Sequence, residues 1–409
     1  MAKTQHSDVI VIGGGLIGLA QGLALAEQGI SVQIVDRADP AAMMAPGFDG
    51  RTSAISSSSY KMLAAIGLEN ALEGKGCPIG QIWVSDQRKP GAIDSVPGEE
   101  AGFLGQMFEN RVLRRTIFEA VTNHPNIRLH MPADIIRKTR NSGSVEIVLD
   151  NGAVLTASLL IVAEGRQSQT REEAGIKIAQ WTYNHSAMVG AVYHEKPHGN
   201  VAYEIFYPEG PFALLPMLDS EDGRHRSAIV WSASAAESAA YLKLGPRGYA
   251  HALEKAMGHI VGKVELAAPL STYPLGFHHA GQVTAQRLVL IGDSAHGIHP
   301  IAGQGLNLGL RDVAALTEVL TDGMRLGLDP ADTQLLERYS RWRSVDTLAV
   351  AMATDSLTRL FGLKGKTASA VRRFGMGAIQ RAKPAKAFFM AEARGESGDM
   401  PKLLLGEAV

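Results

Sequence analysis

A glycine-rich loop near the N-terminus has the spacing of a phosphate-binding site. The sequence G-G-G-L-I-G begins at Gly13 and forms a G-x-G-x-x-G pattern with Gly15 and Gly18. Gly13 permits a tight turn, Gly15 lets a pyrophosphate approach the backbone, and Gly18 allows a helix and a strand to pack closely. A helix beginning in this loop would offer free N–H groups and a partial positive charge to the phosphates.

The elements predicted around this loop are those of a dinucleotide-binding unit. Residues 8–12 are β-branched and apolar and predict a buried strand, residues 16–28 favour a helix, and residues 31–35 predict a second strand. Asp36 ends that strand, 23 residues after Gly13. Its carboxylate can accept hydrogen bonds from a ribose hydroxyl pair, and its charge disfavours a 2′-phosphate. This first motif alone does not separate FAD from NAD.

A second constellation lies about 275 residues further along the chain. Residues 287–293 predict another buried strand, which ends at Asp293, where a carboxylate is well placed for a ligand hydroxyl. A helix predicted over residues 306–324 would point its N-terminus at that ligand, where a positive dipole stabilises the charge of a reduced flavin. The polar and turn-forming residues between these elements are Pro300, Gly303, Gln304, Gly305 and Asn307.

The run G-D-S-A-H-x-x-x-P-x-x-G-Q-G-x-N-x-G-x-x-D, from Gly292 to Asp312, resembles the second flavin motif of the para-hydroxybenzoate-hydroxylase-like monooxygenases. The resemblance implies that the cofactor is FAD, that Asp293 binds the ribityl chain, and that the backbone of residues 303–305 faces the isoalloxazine. A metal site at His296 and His299 is not expected, because no third ligand lies near this pair.

Two further segments are similar to motifs of that family. Residues 49–55, D-G-R-T-S-A-I, imply that Arg51 lies near the flavin, and residues 109–113, E-N-R-V-L, imply that Asn110 is a polar contact to the cofactor. The alternative is that both belong to surface loops without a ligand. Residues 159–171 resemble a third motif but carry Glu164 where the family has aspartate. Because the family links that acid to FAD and NAD(P)H, the choice between NADH and NADPH as donor stays open.

The resemblance and the strand patterns together predict an α/β fold with three parts. A discontinuous Rossmann-like FAD-binding domain would comprise residues 1–75, 100–178 and 282–328. A substrate-binding domain with an antiparallel β-sheet would comprise residues 76–99 and 179–281, since residues 187–192, 202–206, 212–217 and 226–232 read as strands. Residues 329–409 would form a helical C-terminal region.

Three other segments narrow the resemblance to the hydroxylases of ubiquinone biosynthesis. These are W-T-Y-N-H-S-A from Trp181, with His185 in place of glutamine, E-G-P-F-A-L-L-P from Glu209, and the tail from Met390 to Gly406. The implied reaction is hydroxylation of a polyprenylated phenol by O2, through NAD(P)H-reduced FAD and a C4a-hydroperoxyflavin. A catalytic acid or base is not identified. The alternatives are a hydroxylase of a small soluble aromatic compound, a flavin dehydrogenase or reductase, and a non-catalytic flavoprotein subunit.

Composition limits the partners and the compartment. The chain has 409 residues and a formal net charge of −1, so nucleic acid is not an expected partner. Its one cysteine, Cys77, cannot form an internal disulfide, which is compatible with a reducing compartment. Residues 9–26 are apolar, but their glycines and Gln21 argue against a membrane span or a signal peptide. We therefore expect a cytoplasmic protein.

A basic segment near the C-terminus suggests a second kind of partner. Between residues 356 and 391 apolar residues alternate with eight basic ones before the first acidic residue, Glu392, and such a segment can lie on anionic lipid. The alternative is a solvated helix face or a surface for other ubiquinone-biosynthesis proteins. The basic residues are Arg359, Lys364, Lys366, Arg372, Arg373, Arg381, Lys383 and Lys386.

Overall fold

The structure is a computed structural model, and it describes residues 4–45, 47–87, 93–95, 102–297, 304–344, 346–347 and 382–409. The strands in these ranges are β1 (Thr4–Ile12), β2 (Val32–Val35), β3 (Thr52–Ser56), β4 (Cys77–Ile79), β5 (Gln81–Asp86), β6 (Ile93–Ser95), β7 (Gly105–Glu109), β8 (Ile127–His130), β9 (Ile135–Arg140), β10 (Val145–Leu149), β11 (Val154–Val162), β12 (Ile178–His194), β13 (Val201–Tyr207), β14 (Gly210–Met217), β15 (His225–Ser234), β16 (Val264–Leu266), β17 (Ser271–Ala280), β18 (Thr284–Ala285), β19 (Leu288–Leu290) and β20 (His296–Gly297).

The helices connect and cover these strands. They are α1 (Leu16–Ala26), α2 (Pro40–Met43), α3 (Ser57–Leu63), α4 (Glu69–Leu72), α5 (Asn110–Asn123), α6 (Gln169–Glu173), α7 (Ala235–Lys243), α8 (Gly245–Met257), α9 (Gln304–Arg325), residues 333–344, Lys383–Arg394 and Lys402–Leu405. A π-helical turn, Ala64–Leu68, separates α3 from α4, and a 3-10 turn, Gly292–Ser294, follows β19. The described residues include no helix long and apolar enough to cross a lipid bilayer.

A mostly parallel sheet carries the two nucleotide-binding motifs. Its strand order is β18-β19-β11-β1-β2-β8, and the β9–β10 hairpin extends from β11. The central strands β19, β11 and the second half of β1 are largely apolar because helices α1, α5 and α9 cover one face and the hairpin packs on the other. The predicted strands at residues 8–12 and 31–35 are observed, although β1 begins earlier, at Thr4, and α1 ends at Ala26, two residues before the predicted end.

A second sheet has the order β20-β17-β12-β15-β14-β13-β5-β6. The four predicted strands lie within β12, β13, β14 and β15, and they pair antiparallel in the spatial order β12-β15-β14-β13. The prediction of an antiparallel sheet holds except for β13 and β5, which pair in parallel. Helices α7 and α8 follow β15, and α8 packs against one face of the sheet through Tyr249 and Leu253.

A three-stranded sheet, β3-β7-β4, lies against the other face of the second sheet. Cys77 and Met107 of the small sheet pack with Ala191 and Ala228 of the large one. Residues 76–99 are therefore divided, since β4 joins the small sheet and β5 and β6 extend the large one. Within the predicted helical C-terminal region, residues 333–344, 346–347, Lys383–Arg394 and Lys402–Leu405 are helical, and residues 345 and 348–381 lie outside the described residues.

Candidate active site

The glycine loop after β1 is held open toward one side only. Gly13 has φ of +110°, and a Cβ atom there would lie 2.3 Å from the carbonyl oxygen of Ala163. A Cβ on Gly18 would lie 1.8 Å from the carbonyl oxygen of Gly13, so the helix and the strand touch at this point. A Cβ on Gly15, in contrast, would meet no atom within 4 Å. The loop therefore presents its middle glycine to open space, as close approach of a phosphate requires.

The N-terminus of α1 faces the same space. Its N-cap is Gly15, no side chain caps the first turn, and that turn carries no acidic residue. The first N–H groups of a helix have no partner within the helix, and they lie at the positive end of its dipole. This end of α1 is therefore suited to an anion such as a pyrophosphate.

Asp36 braces the loop from the end of β2. One of its carboxylate oxygens accepts a hydrogen bond from the N–H of Gly14, and the other accepts one from the N–H of Ala38 at 2.6 Å. The side chain is only partly buried. Asp36 thus lies at the carboxyl edge of the sheet beside the loop, the position from which an acid can also reach a ribose.

The second motif meets the first through Ile17. A Cβ on Gly292 would lie 3.2 Å from the Cγ2 of Ile17, and one on Gly309 would lie 2.7 Å from its Cδ1. Because Ile17 belongs to the first turn of α1, the two motifs pack directly against one another. Asp293 follows Gly292, and its side chain is 53% exposed, with a carboxylate oxygen 3.9 Å from Nε of Arg166.

A buried ionic cluster fixes the turn that carries Asp293. Asp312 of α9 is 1% exposed, and its carboxylate accepts hydrogen bonds from Gly292 N at 2.8 Å, from His296 Nε2 at 2.6 Å and from Arg343 Nε at 2.7 Å. Although burial raises its pKa, the charges of His296 and Arg343 lower the pKa of Asp312 to about 2. Asp312 is the last residue of the second motif, but the motif does not indicate this role, and Arg343 lies outside every motif found in the sequence.

His296 is thereby engaged with a carboxylate inside the protein. Within the ranges that the structure describes, no group of His, Cys, Asp and Glu side chains is arranged to hold a metal ion. His299 and two of the predicted cofactor contacts, Pro300 and Gly303, lie outside the described residues. Gln304 begins α9, and a Cβ on Gly305 would meet no atom within 4 Å, so the start of α9 also faces open space.

Pairing of β3 with β7 brings Arg51 and Asn110 together. Asn110 N donates to the carbonyl oxygen of Arg51 at 3.0 Å, and Asn110 Oδ1 accepts from Ser53 Oγ at 2.7 Å. The guanidinium of Arg51 is 45% exposed and donates twice to Asp49 Oδ2, at 2.9 and 2.7 Å. Although burial raises the pKa of Asp49, hydrogen bonds from Arg51 and Arg114 lower it below its ordinary value. Arg51 is thus a fixed cation beside Asn110.

Asn307 ties this pair to the second motif. Its Nδ2 donates to the carbonyl oxygen of Ala54 at 2.8 Å, and its Oδ1 accepts from Ser56 N at 2.9 Å. Two hydrogen bonds therefore connect the first turn of α9 to β3. These contacts give Asn307 a structural role that the sequence did not predict, in addition to the cofactor contact that it did.

Glu164 is close to the glycine loop, but its carboxylate points elsewhere. Its backbone N lies 3.1 Å from the place of a Cβ on Gly13. Its carboxylate accepts hydrogen bonds from Ser168 Oγ at 2.6 Å, Thr170 N at 3.0 Å and Thr170 Oγ1 at 2.8 Å, at the N-terminus of α6. The acid thus anchors a helix start that follows the loop, and both of its oxygens already have protein donors.

The large sheet reaches the second motif at its other end. His278 of β17 pairs with Gly297, and its Nε2 lies 2.8 Å from the carbonyl oxygen of Asp293. The rings of Trp181 and Phe277 stack with centroids 4.1 Å apart, and Phe277 packs on Leu308 of α9. The large sheet therefore contacts the small sheet, β3 and β7, at one place and the second motif and α9 at another. The open space beside α1 and α9 lies between these two contacts.

Comparison with known proteins identifies the family. The profile of the family described as FAD binding domain matches residues 6–354. Ubiquinone hydroxylase UbiL of Rhodospirillum rubrum is 40% identical over 403 residues, which are 98% of this chain and 93% of that protein. The chain belongs to the family of FAD-dependent ubiquinone-biosynthesis hydroxylases. The 3-demethoxyubiquinol 3-hydroxylase of Escherichia coli, another member, is 32% identical over 92% of this chain and 96% of its own length.

Two solved structures of proteins described as monooxygenases have the same fold. The p-nitrophenol 4-monooxygenase PnpA of Pseudomonas putida DLL-E4 superimposes with a TM-score of 0.79 at 17% identity, over 97% of this chain and all of that one. PqsL of Pseudomonas aeruginosa superimposes with a TM-score of 0.71 at 20% identity, over 92% of this chain and 99% of its own. The predicted fold class is thus confirmed.

The residues present fit the cofactor of this family, and the protein is an FAD-dependent monooxygenase. The uncapped start of α1 and the open space at Gly15 suit a pyrophosphate, and the open space at Gly305 leaves room beside α9. Asp36 and Asp293 supply carboxylates at the ends of two parallel strands, where hydroxyl groups of a nucleotide bind in open α/β sheets. The predicted cofactor, FAD, is therefore confirmed.

Proposed function

We propose that this protein hydroxylates the aromatic ring of a polyprenylated phenol in ubiquinone biosynthesis. The observation that carries the proposal is the 40% identity with a ubiquinone hydroxylase along nearly the full length of both chains. Identity at this level over both the nucleotide-binding segments and the large sheet supports a shared substrate class as well as a shared fold. The substrates of the reaction are the phenol, O2, and NADH or NADPH as electron donor.

The geometry supports an assignment of each part of FAD to particular predicted residues. The pyrophosphate of FAD would lie at Gly13, Gly15 and Gly18, the adenosine ribose at Asp36 and the ribityl chain at Asp293. The isoalloxazine would face residues 303–305 and the start of α9, near Arg51 and Asn110. Asn307 would hold this wall of the site in place, and Glu164 would act through the loop beside Gly13. Pro300 and Gln304 complete the proposed contacts.

Bound FAD, once reduced by NADH or NADPH, supplies the activation of O2 and the oxygen atom that enters the ring. The protein's own part is to position the ring, to exclude water and to stabilise charge. A fixed cation such as Arg51 favours negative charge near the flavin. We further propose the predicted division into an FAD-binding domain, a substrate-binding domain and a helical C-terminal region.

The C-terminal basic segment supports contact with the membrane that holds a prenylated substrate. Six of its eight basic residues lie outside the described residues, and Lys383 and Lys386 belong to the helix Lys383–Arg394. We propose a cytoplasmic protein that binds anionic membranes peripherally through this segment. Charge reversal of Arg372, Arg373, Lys383 and Lys386 should reduce pelleting with anionic vesicles, and unchanged pelleting would contradict the assignment.

A gene deletion with complementation tests the proposed function. Lipid extracts of the deletion strain should lack ubiquinone and should contain a prenylated precursor short by one ring oxygen, measured by mass spectrometry. The wild-type gene should restore ubiquinone, whereas a Gly13→Val variant, which would clash with Ala163, should not. Normal ubiquinone in the deletion strain, with no accumulated precursor, would contradict the proposal for this pathway.

A further inference from the structure

Glu204 lies on the face of the large sheet that is turned toward the flavin-binding part. Side chains alternate between the two faces of a strand. Tyr203 and Ile205 pack with Phe212 in the core beneath α8, whereas Ala202 packs on the opposite face with Met107 of β7. Glu204 therefore shares its face with Ala202 and looks toward the small sheet and the cofactor side.

The neighbours of Glu204 in the sheet are small or apolar and leave a recess. The strand pairings place Val84, Ala213, Val230 and Val189 in one row with it, across β5, β14, β15 and β12. Glu204, Val230 and Val189 are only partly buried, although they lie on interior strands of an eight-stranded path. Partial exposure in the middle of a sheet means that the layer in front of it does not close over this row.

The recess lies between the two walls of the flavin site. On one side, the adjacent row, Ala202, Leu215, Ala228 and Ala191, packs beneath Phe48 and Ala54, which flank Arg51 in the chain. Toward the other side, β12 continues to Trp181, which stacks on Phe277 next to the His278–Gly297 pair of the second motif. A ligand in the recess would thus lie in front of the sheet and beside the isoalloxazine.

The carboxyl group of Glu204 has no hydrogen-bond partner or ion-pair partner among the residues that the structure describes. Although part of its surface faces the recess, burial raises the pKa of Glu204 to about 8. The same face of the sheet carries other titratable or charged side chains outside the row of Glu204: Asp86, His185, Tyr193, Arg226, Glu265 and Tyr273. Glu109 of the small sheet, which lies opposite this face, is paired with Arg226 at 3.0 Å.

We propose that Glu204 is the catalytic base of the hydroxylation: it binds the ring hydroxyl of the phenol in this recess and takes its proton. The inference rests on the proposed function. A largely desolvated carboxyl group without a protein partner is costly even when part of it is exposed, and a substrate hydroxyl would satisfy it. Among the described residues of the row, Glu204 alone has a side chain that can accept a proton.

The proton transfer makes the ring reactive and balances as follows. The phenol O–H bond breaks, its proton goes to a Glu204 oxygen, and the oxygen's electron pair is delocalised into the ring. A ring carbon then bonds to one oxygen atom of O2 while the O–O bond breaks. Bound FAD would supply the two electrons for this, NAD(P)H being the reductant, and the second oxygen leaves as water. The ring carbon releases its hydrogen as a proton to solvent, the ring regains aromaticity, and the proton held by Glu204 returns to the original oxygen.

The environment of Glu204 suits this role. A phenol has a pKa of about 10, whereas an ordinary glutamate, at about 4.3, is too weak a base to share its proton. A base whose pKa lies closer to that of the phenol transfers the proton more efficiently, and general-base catalysis contributes roughly 100- to 10,000-fold. Because the raised pKa is about 8, Glu204 would be ionised and competent above that pH.

The test compares E204Q with E265Q, a control on strand β16, which pairs with β12 of the same sheet; the Glu265 side chain is 78% exposed. The probe is 2-geranylphenol, and the readouts are FAD content, NAD(P)H oxidation and hydroxylated product. E204Q should keep FAD but form product about 100-fold more slowly, in line with loss of a general base. The rates of wild type and E265Q should rise as the pH passes through about 8 and level off above it, and E204Q should lack this rise.

A ring-fluorinated 2-geranylphenol, which is more acidic, separates a base from a structural residue. It should reduce the defect of E204Q, because a phenol that ionises by itself needs less help. The inference would be overturned if E204Q formed product within about threefold of the wild-type rate and its rate still rose with pH. A defect of E204Q that fluorination leaves unchanged would also overturn it. Failure of wild type itself on 2-geranylphenol and on the lipid that accumulates in the deletion strain would instead contradict the proposed function.

Discussion

Replacing Asp312 by asparagine should destabilise the protein by about 2–4 kcal/mol. The carboxylate is 1% exposed and accepts hydrogen bonds from His296, Arg343 and the backbone of Gly292. A drop in pKa from 3.8 to about 2 corresponds to about 2 kcal/mol of favourable interaction. Removing one partner of a buried ion pair costs about 3–5 kcal/mol. Arg343 retains Asp346 at 2.8 Å, which should keep the loss below the upper end of that range.

Urea unfolding of the FAD-loaded protein measures this effect. D322N is the matched control, because Asp322 lies on the same helix and pairs with Arg338 at 3.1 Å but is 33% exposed. Exposed pairs contribute about 0–1 kcal/mol. Since the folded-state pKa of Asp312 is below its unfolded value, its contribution is present above pH 3.8 and is lost as the pH falls toward 2. A D312N variant within about 0.5 kcal/mol of wild type at neutral pH would refute the reasoning on coupled burial.

Three further changes separate folding from cofactor binding. G15A should fold normally but lose FAD, since its Cβ enters the open space of the loop. G18A should lose both its fold and FAD, because its Cβ would lie 1.8 Å from Gly13 O. Circular dichroism reports folding and flavin absorbance reports FAD, and FAD retention by G15A would count against the loop assignment. N307A should cost about 1–3 kcal/mol of unfolding free energy by leaving Ala54 O and Ser56 N without their partner, and an unchanged urea midpoint would contradict this. D293A should weaken FAD binding with little change in apoprotein stability, because the side chain is 53% exposed; equal FAD affinity in an equilibrium titration would argue against the ribityl contact.

The sequence predicted best those features that depend on neighbouring residues. The strand before Gly13, the helix after Gly15 and the acid at Asp36 follow one another within a short stretch, so periodicity and glycine spacing suffice to place them. The strands from β12 to β15 were likewise recognised from their own composition.

Features that depend on long-range packing were not predicted. Asp312 and Arg343 are separated along the chain, and only the fold shows that they share a buried cluster with His296. The motif marks Glu164 as a cofactor contact, but its carboxylate is bonded to the start of helix α6, which the motif does not predict. Glu204 lacks any motif, and its significance emerges only from the register of the strands beside it.

Incorporation of oxygen from isotopically heavy O2 tests the central claim most directly. The purified protein, loaded with FAD, would be given NADH or NADPH and the prenylated phenol that accumulates in the deletion strain. The mass of the product would be measured by mass spectrometry. The product should carry one heavy oxygen atom on its ring, with NAD(P)H oxidised in proportion. NAD(P)H oxidation that yields only hydrogen peroxide, with the phenol recovered unchanged, would contradict it.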